Sequence, residues 1–247
     1  MAGRRGDPAT DPWNLIWVMP AEGDLESNGP AVIFAGGDPV PEEVRDFLPH
    51  EALVVAADSG LDLARRLGIA VDLVVGVFDS ADSAGLAAAA AAGAVLERHP
   101  ADKDATDLEL ALDAVLRLGR SPVRIVGGAG WDRFDHLVAN VLLVASPRYA
   151  PLRLAWWVKG AELAPVHGRL DLAGRPGDLV TLLAVGGPAT GVTTRGLRWP
   201  LLGETLTPGS TRGVSNEFAA DDATVSVESG VLVAIHIGSK SYTGREP

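Results

Sequence analysis

The chain has 247 residues, of which 47% are hydrophobic, so it is long enough to bury one large core or two smaller ones. The lack of cysteine excludes disulfides and thiolate metal sites, and the net charge of −11 argues against nucleic acid and anionic membranes as partners, although local basic groups and metal ions still permit a phosphate-bearing substrate. No apolar segment approaches the roughly 20 residues that span a bilayer and no apolar h-region follows Arg4 and Arg5, so the sequence predicts a cytoplasmic protein without a membrane partner.

Residues 1–29 are predicted to be an N-terminal extension, with at most one strand in the short apolar piece Trp13–Met19. From Ala31 short β-type runs alternate with helical runs, which is typical of βαβ units and a parallel sheet. The predicted strands are Ala31–Ala35, Ala52–Ala57, Asp72–Val77, Val95–Arg98 and Val123–Gly127. The predicted helices are Gly60–Leu67, Ser83–Ala92, Thr106–Leu118 and Arg133–Val144. We therefore expect an α/β domain with a mainly parallel, Rossmann-like sheet over residues 30–150.

Two of the predicted helices carry apolar side chains at helical spacing, which indicates the faces that pack on the sheet. These stripes are Leu108, Ala111, Leu112 and Val115 in the third helix and Phe134, Leu137, Val138 and Val141 in the fourth.

Residues 151–247 change in character, because β-type runs follow one another without helices between them. The runs are Leu152–Val158, Ala161–Val166, Leu179–Val185, Val192–Leu197, Thr224–Glu228 and Val231–Ile237. Turn pairs such as Gly186-Gly187 and Ser229-Gly230 separate them. A series of strands after an α/β region predicts a second, all-β domain with the form of a sandwich.

The loops after the predicted parallel strands carry four aspartates, which are Asp58, Asp79, Asp107 and Asp135. Because the carboxyl ends of parallel strands meet at one edge of a sheet, we expect these loops to share the edge where such sheets bind ligands. Lys103 and Arg133 lie in the same loops. Carboxylates together with basic groups predict a site for a hard divalent cation and a phosphate-bearing substrate.

Helix capping offers a structural alternative for several of these polar residues. Asp58 and Ser59 suit a metal or ribose site and a helix N-cap equally well, and Ser80 or Asp82 could begin the helix that follows. Thr106 and Glu109 fit a capping box. The capping box does not account for Lys103, Asp104 or Asp107. We therefore interpret that helix N-terminus as a phosphate site in which Asp107 holds the metal.

The glycine-rich turn at Gly127–Gly130 lies between a predicted strand and a predicted helix. It does not match G-x-G-x-x-G, because Arg133 stands at the third glycine position, so dinucleotide binding is a weak interpretation. Asp132, His136 and Asn140 follow at spacings of four residues and predict a polar stripe. For His136 alone, a hydrogen-bonded core histidine is the commoner case.

Two polar segments in the predicted β domain, Trp199-Pro200 and Ser215-Asn216-Glu217, fit ordinary turn chemistry. Trp199 also fits a stacking surface for a cationic aromatic ring.

Taken in order over about residues 30–240, these segments resemble the thiamine pyrophosphokinase family. The family pattern contains D-x-G, then G-D-x-D-S, K-D-x-T-D-x-E-x-A, G-x-x-x-x-R-x-D-H-x-x-x-N, and a Trp-Pro-Leu stretch with S-N-E. The matching segments are Asp58-Ser59-Gly60, Gly76 to Ser80, Lys103 to Ala111, Gly128 to Asn140, Trp199-Pro200-Leu201 and Ser215-Asn216-Glu217. Each motif alone is weak, but five in family order are specific.

The resemblance implies an N-terminal α/β domain that binds ATP and Mg²⁺, a C-terminal β-sandwich, and a homodimer with thiamine bound between subunits. The implied reaction moves the β,γ-pyrophosphoryl group of ATP to the thiamine hydroxyl and releases AMP. Sites around the cofactor are then expected at Asp58, Ser59, Gly60, Ser80, Thr106 and Gly128, with Asp58, Asp79 and Asp107 as metal ligands. Catalytic roles fall to Asp79, Lys103, Asp107, Arg133, Asp135 and His136. Thiamine-binding roles fall to Trp199, Ser215 and Asn216.

The sequence departs from the family pattern at Val77, where the pattern has the first Asp of G-D-x-D-S. Trp131-Asp132 also replace a frequent Gly-Gly. The loss of a carboxylate at Val77 leaves open a non-catalytic homologue that binds nucleotide or thiamine, unless Asp82 or Asp104 compensates. A related pyrophosphokinase that acts on another alcohol, such as a pterin, is a further alternative.

Overall fold

The computed structural model describes residues 19–20, 28–78 and 82–238. The chain divides into two compact units. One extends from Asp24 to Lys159, and the other contains the residues from Gly160 onward together with the short strand β1 (Met19–Pro20). Apart from Met19, the apolar piece Trp13–Met19 lies outside the described residues.

The first unit is an α/β fold built on a six-stranded parallel sheet. Its strands are β2 (Ala31–Ala35), β3 (Leu53–Ala57), β4 (Leu73–Gly76), β5 (Val95–Arg98), β6 (Val123–Gly127) and β7 (Leu154–Val158). Its helices are α1 (Gly60–Arg66), α2 (Ser83–Ala91), α3 (Asp107–Arg117) and α4 (Phe134–Val144), with 3-10 segments at Glu42–Phe47, Trp131–Arg133 and Pro147–Leu152. The strands lie in the order β7-β6-β2-β3-β4-β5.

Strand β2 lies inside this sheet, and all five of its residues are buried. Continuous apolar runs of this kind are typical of strands covered on both faces. Ala35 pairs with Ala57 of β3 and with Gly127 of β6, so the carboxyl ends of these three strands are level. The loops that carry the polar motifs therefore leave the sheet side by side.

Helix α3 follows the predicted pattern, because its stripe of Leu108, Ala111, Leu112 and Val115 is buried. Helix α4 does not. Phe134 is 60% and Val138 is 44% exposed, and the buried residues of this helix are Asn140 and Val144. The predicted stripe on α4 is therefore wrong as a core-facing surface, and apolar side chains of α4 remain at the surface of this single chain.

The second unit consists of antiparallel strands. They are β8 (Ala161–Val166), β9 (Arg169–Ala173), β10 (Leu179–Arg195), β11 (Leu202–Leu206), β12 (Asn216–Glu217), β13 (Asp222–Ser226) and β14 (Ser229–Ile237). The first half of β10 pairs with β12 and β14, and β14 pairs with β8. The second half of β10 pairs with β11 and β13, and β9 joins β13 to β1.

Side chains from both sets of strands form the core of this unit. The core includes Val166, Leu170, Leu182, Val192, Phe218, Val225 and Leu232. The predicted fold class, a mainly parallel α/β domain followed by an all-β sandwich, is confirmed.

Two details differ from the sequence predictions. Leu179–Val185 and Val192–Leu197 are predicted as separate strands, but the first of them and residues 192–195 of the second belong to one long strand. Gly186 has φ of 75° and the register shifts between Val185 and Thr190, so the chain changes partners at Gly186-Gly187 without leaving the sheet. The strand Leu154–Val158, predicted as part of the helix-free β region, pairs in parallel with β6, and the first compact unit extends to Lys159.

None of the helices in the described part of the chain combines the length and the apolar character needed to cross a membrane.

Candidate active site

Asp58 lies directly after β3 at the carboxyl edge of the sheet. Its backbone N–H donates to the carbonyl of Val75 on the neighbouring strand at 2.9 Å. Its φ is 45° and the residue is 6% exposed, a left-handed conformation that Asp tolerates better than most residues. Ser59 occupies the N-cap of α1, but within the described residues its side chain makes no capping hydrogen bond. The capping alternative therefore does not account for Ser59.

Gly76, the last residue of β4, lies between two carboxylate-bearing side chains. A Cβ atom added to Gly76 would lie 3.1 Å from Asp58 Cβ and 3.2 Å from Asp107 Oδ1. The carbonyl of Gly76 accepts a hydrogen bond from the N–H of His99 at 2.9 Å, which holds the chain after β5 against the end of β4. The structure therefore brings Asp58 and Asp107 together at this point of the edge.

Lys103 donates its ammonium group to Asp107 Oδ1. The lysine side chain is 13% and the aspartate side chain 33% exposed. Thr106 Oγ1 accepts from the N–H of Glu109 at 3.2 Å, so Thr106 is the N-cap of α3 and Asp107 is its first residue. Lys103 therefore lies beside the N-terminus of α3, an environment suited to anions.

The loop after β4 contains the position that departs from the family pattern. Asp79 and Ser80 lie outside the described residues. Val77 is partly buried, and its carbonyl accepts from Arg98 at 3.4 Å. Phe78 has φ of 67° and is buried beneath the Arg98 guanidinium, which lies 4.9 Å from the ring centroid.

Asp82 is a helix cap. Its carboxylate accepts from the N–H groups of Ala84 and Gly85 at 3.1 Å each and from Arg65 at 3.4 Å. The hydrogen bond from Ala84, with the bonds from Gly85 and Arg65, lowers the pKa of Asp82. Asp104 is exposed. Asp82 is therefore the N-cap of α2, as the capping interpretation of the sequence proposed.

The glycine turn after β6 is tied to the loop after β2. Gly127 and Gly128 have φ of 84° and 78°. The N–H of Gly128 donates to the carbonyls of Ala35 and Gly36 at 3.1 and 2.9 Å. The buried amide of Asn140 donates to the carbonyl of Gly128 at 3.1 Å, so this member of the predicted polar stripe fixes the turn.

The other members of the stripe do not pack on the sheet. Asp132 is exposed and His136 is partly exposed, so His136 is not a core histidine. Arg133 Nε and Nη2 donate to the two oxygens of Asp135 at 3.1 Å each, and Nη2 also donates to His136 Nε2. The Arg133 hydrogen bond lowers the pKa of Asp135 to about 2. The same bond raises the pKa of Arg133.

In the β unit, Asn216 holds Trp199. Asn216 Oδ1 accepts from the N–H of Trp199 at 3.0 Å, and Nδ2 donates to its carbonyl at 2.6 Å. The Trp199 side chain is 46% exposed, with the Arg198 guanidinium 4.7 Å from its ring centroid. Ser215 has φ of 56°, and its N–H donates to Thr181 Oγ1 at 3.1 Å. A guanidinium group therefore lies over the ring of Trp199, and the buried side-chain amide of Asn216 fixes the backbone of Trp199.

Two family models match this chain. The model described as thiamin pyrophosphokinase, catalytic domain, matches residues 44–155, and the one described as thiamin pyrophosphokinase, vitamin B1 binding domain, matches residues 169–232. The chain belongs to the thiamin pyrophosphokinase family.

Relatives of this family match nearly the whole described chain. The thiamine pyrophosphokinase of Bacillus subtilis (strain 168) is 27% identical over 208 residues, which cover 82% of this chain and 96% of that protein. The crystal structure of thiamine pyrophosphokinase from Bacillus subtilis superposes with a TM-score of 0.74 at 23% identity and covers 86% of this chain and 100% of its own. The enzyme structure from Geobacillus thermodenitrificans gives a TM-score of 0.72 at 25% identity and covers 85% and 98% of the two chains.

Within residues 19–20, 28–78 and 82–238, no group of three or more His, Cys, Asp and Glu side chains could hold a metal ion. Asp58 and Asp107 meet at Gly76, while Asp79 lies outside that part of the chain. Arg133, Asp135 and His136 form a second cluster, after β6.

Sequence reasoning missed one pair of residues at the same edge. Lys159, directly after β7, donates its ammonium group to Asp38, three residues after β2. Both residues lie outside the segments that the two family models match. The signal was available, because each follows a buried strand in the way that Asp58 follows β3.

Proposed function

We propose that this protein transfers the pyrophosphoryl group of ATP to the hydroxyl of thiamine, giving thiamine diphosphate and AMP. The observation that carries the proposal is the meeting of Asp58 and Asp107 at Gly76, with Lys103 on Asp107. It occurs in a chain whose two halves both match the thiamin pyrophosphokinase family. Carboxylates and an ammonium group at one helix N-terminus are the groups that position a metal-bound polyphosphate.

The chemistry of this donor set fits Mg²⁺. Mg²⁺ is usually held by one or two carboxylates, several waters and the substrate phosphates, and the Asp58–Asp107 pair supplies two carboxylates. We assign Asp58, Asp79 and Asp107 as the residues that would hold it. When bound, the ion neutralises phosphate charge and fixes the orientation of the triphosphate.

The remaining residues at this edge of the sheet would bind the nucleotide and neutralise the negative charge of its phosphates. Lys103 offsets charge on the pyrophosphoryl group, and Arg133 offsets charge on the phosphates or on the departing AMP. Ser59, Gly60, Ser80, Thr106 and Gly128 contribute hydroxyl groups and close-approaching backbone around the nucleotide. Positioning and charge neutralisation supply most of the catalysis in phosphoryl-type transfers.

Asp135 and His136 would orient the attacking hydroxyl rather than take its proton, because Nε2 of His136 already accepts from Arg133. A carboxylate with a pKa of about 2 is a weak base near neutral pH. Asp135 instead holds Arg133 in a bidentate pair. Arg133 in turn contacts His136 Nε2, so this arginine orients the histidine ring.

Thiamine carries a cationic ring, and Trp199 is the side chain suited to it. The Arg198 guanidinium over the indole ring supports this role, because the π face of an indole attracts cations. Asn216 would act by fixing Trp199, and Ser215 lies directly before it in the chain.

We also propose that the protein is a homodimer and that α4 contributes to the interface. Phe134, Val138 and Leu142 lie at spacings of four residues and are 60%, 44% and 55% exposed. An apolar stripe of this kind on a single chain is typical of a surface that a partner covers. Sedimentation velocity of Leu142→Glu against wild type checks this: we expect the variant to shift toward monomer, and an unchanged dimer would remove α4 from the interface.

The direct test is a steady-state assay with ATP, Mg²⁺ and thiamine that quantifies thiamine diphosphate and AMP. We expect the two products in equal amounts and no product without Mg²⁺. Absence of thiamine diphosphate at high enzyme concentration would overturn the proposal.

A second candidate function, a non-catalytic binding protein, has one observation in its favour. Val77 replaces a carboxylate of the family pattern and is partly buried. Val77→Asp separates the two candidates. A large gain in turnover at unchanged thiamine affinity would favour a site that lost its activity, and no gain would favour a site that works with the remaining carboxylates.

A further inference from the structure

Four lysine and arginine side chains lie at the carboxyl edge of the parallel sheet, in the part of the chain that the structure describes. Three of them are paired with an aspartate of the same edge, namely Lys103 with Asp107, Arg133 with Asp135 and Lys159 with Asp38. The fourth is Arg98, whose side chain contacts a backbone carbonyl and an aromatic ring among the described residues, and no carboxylate. Its charge is therefore available to an anion that comes from outside the chain.

Arg98 is the last residue of β5 and lies beside Gly76. The two residues are paired in the register between β4 and β5, and neighbouring strands are about 4.8 Å apart. The N–H of His99 donates to the carbonyl of Gly76 at 2.9 Å, which fixes the end of β5 at this place. The backbone of Arg98 is therefore held directly beside the point where Asp58 and Asp107 meet.

The guanidinium group of Arg98 lies over the ring of Phe78. Its central carbon is 4.9 Å from the ring centroid, a cation–π contact that restricts the guanidinium. Phe78 is buried and packs with Leu61 and Leu86, so the ring itself is fixed. Arg98 is nevertheless exposed to solvent. The exposed cation is thus held at the end of β4 before any ligand arrives, which reduces the entropy lost on binding.

The hydrogen bond that Arg98 makes is one that a ligand can replace. Nη1 donates to the carbonyl of Val77 at 3.4 Å, which is longer than the roughly 3.0 Å that is usual for an N–H···O bond. The side chain of Val77 carries no charge, so the position where the family pattern has an aspartate supplies no carboxylate that competes for the guanidinium. A guanidinium presents its N–H donors in a planar fork that matches the oxygens of a phosphate group.

We propose that Arg98 is a substrate-binding residue that contacts the β,γ-pyrophosphoryl end of ATP. This inference rests on the proposed function for the identity of the nucleotide. Arg98 neutralises phosphate charge from the β5 side of the Asp58–Asp107 pair, while Lys103 acts from the N-terminus of α3. The absence of a carboxylate at Val77 then keeps the guanidinium free for the substrate.

Isothermal titration with α,β-methylene-ATP, whose α–β bridge resists cleavage, tests the assignment without turnover. The titrations contain Mg²⁺ and no thiamine. For Arg98→Gln we expect the Kd of the analogue to rise on the order of tenfold, because charge-assisted hydrogen bonds to phosphate are lost. The Kd of AMP, which lacks the β- and γ-phosphates, should change less than about twofold. Arg98→Lys keeps the charge but not the fork, so its Kd for the analogue should rise by about threefold.

The dependence on Mg²⁺ separates a direct contact with phosphate from an effect on the metal ligands. For a direct contact, the Kd of the analogue should rise by the same factor at limiting and at saturating Mg²⁺. Arg66→Gln is the matched control, because it removes one exposed positive charge at the C-terminal end of α1, away from the carboxyl edge. This control should bind the analogue as wild type does. The melting curve of Arg98→Gln should match that of wild type, since the side chain is exposed.

Unchanged analogue binding in Arg98→Gln would overturn the assignment, even if wild type makes thiamine diphosphate. Equal losses for the analogue and AMP, or a loss confined to limiting Mg²⁺, would overturn it as well, because Arg98 would then act on the fold or on the metal ligands. Analogue binding that depends on Arg98 in a protein without turnover would support this role of Arg98 and count against the proposed reaction. A wild-type protein that neither turns over nor binds the analogue overturns both.

Discussion

Asp58, directly after β3, and Asp107, the first residue of α3, approach the same point beside Gly76. A Cβ atom on Gly76 would lie 3.1 Å from Asp58 Cβ and 3.2 Å from Asp107 Oδ1. Glycine is thus the residue that leaves room for both side chains. Gly76→Ala should lower turnover on the order of tenfold or more, because small displacements at a reacting centre are costly, and should leave the midpoint of thermal unfolding almost unchanged.

The Mg²⁺ dependence of the rate and a melting curve measure the two effects of Gly76→Ala. Gly187→Ala is the matched control, because no atom lies within 4 Å of the added carbon there. Normal turnover in Gly76→Ala would contradict a metal site at this point.

Asp107→Asn tests the negative charge that faces Lys103. The cap Thr106 is retained, so we expect α3 to form and the fold to persist. Turnover should fall by about 100-fold or more, since a group that fixes transition-state charge is lost. Asp104→Asn removes an exposed carboxylate three residues away and should behave as wild type. Equal rates for the two variants in the thiamine diphosphate assay would exclude Asp107 from catalysis.

Asp135 provides a prediction on pH. Because its pKa is lowered to about 2, its pairing with Arg133 is complete above the ordinary aspartate pKa and is lost only as the pH falls through about 2. Between pH 5 and 9 the profile of kcat/KM should therefore contain no limb from Asp135. Asp135→Asn should lower the rate without changing the shape of the profile. A limb that disappears in Asp135→Asn alone would assign the base to Asp135.

Amphipathic periodicity and capping chemistry are local properties, and they predicted α3 with its N-cap Thr106 and its buried stripe from Leu108 to Val115. The same periodicity misled for α4, because a stripe that faces the core and a stripe that faces the surface of the chain have the same spacing. The pair Gly186-Gly187 predicts a turn. In the structure the chain remains one strand, because β14 pairs with the residues before these glycines and β13 pairs with residues after them. These outcomes depend on tertiary pairing, which periodicity does not contain.

The candidate site divides in the same way. Motif order was sufficient to place Asp58 and Lys103 at one sheet edge and to indicate the family. Motif order could not reveal that Asp58 and Asp107 meet beside Gly76. These residues are far apart in the sequence, and it is the register between β3 and β4 that brings the end of β3 next to Gly76. Asp38 and Lys159 were missed because their partnership crosses a strand that lies between them in the sheet, and no spacing along the chain encodes that relationship.

Tyr149 gives a prediction on stability. Its buried hydroxyl donates to Asp113 at 2.8 Å, and Arg148 contacts the same carboxylate at 2.9 Å. Tyr149→Phe should lower the free energy of unfolding by about 1 to 2 kcal/mol, measured by urea denaturation. Burial, with the bond to Asp113, raises the pKa of Tyr149. Its contribution should therefore be complete below the ordinary tyrosine pKa and should decline only as the pH rises above it. An unchanged urea midpoint would show that the bond adds nothing to stability.

Trp199 and Asn216 test the thiamine site. Trp199→Ala should raise the KM of thiamine on the order of tenfold, because a cation–π contact and its surface are lost, and should leave the KM of ATP nearly unchanged. Asn216→Ala should produce a similar change, since its amide makes both hydrogen bonds to the Trp199 backbone. Asn216→Asp keeps the acceptor but not the donor and should fall between.

Arg212→Gln, which removes an exposed ion pair with Glu204 in the same unit, is the control for these variants. A selective rise in the KM of thiamine for Trp199→Ala and Asn216→Ala, graded through Asn216→Asp, identifies Asn216 as a positioning residue for the indole. Parallel changes in the KM of ATP and thiamine would instead indicate a general loss of structure. A normal thiamine KM in Trp199→Ala would remove this surface from the substrate site.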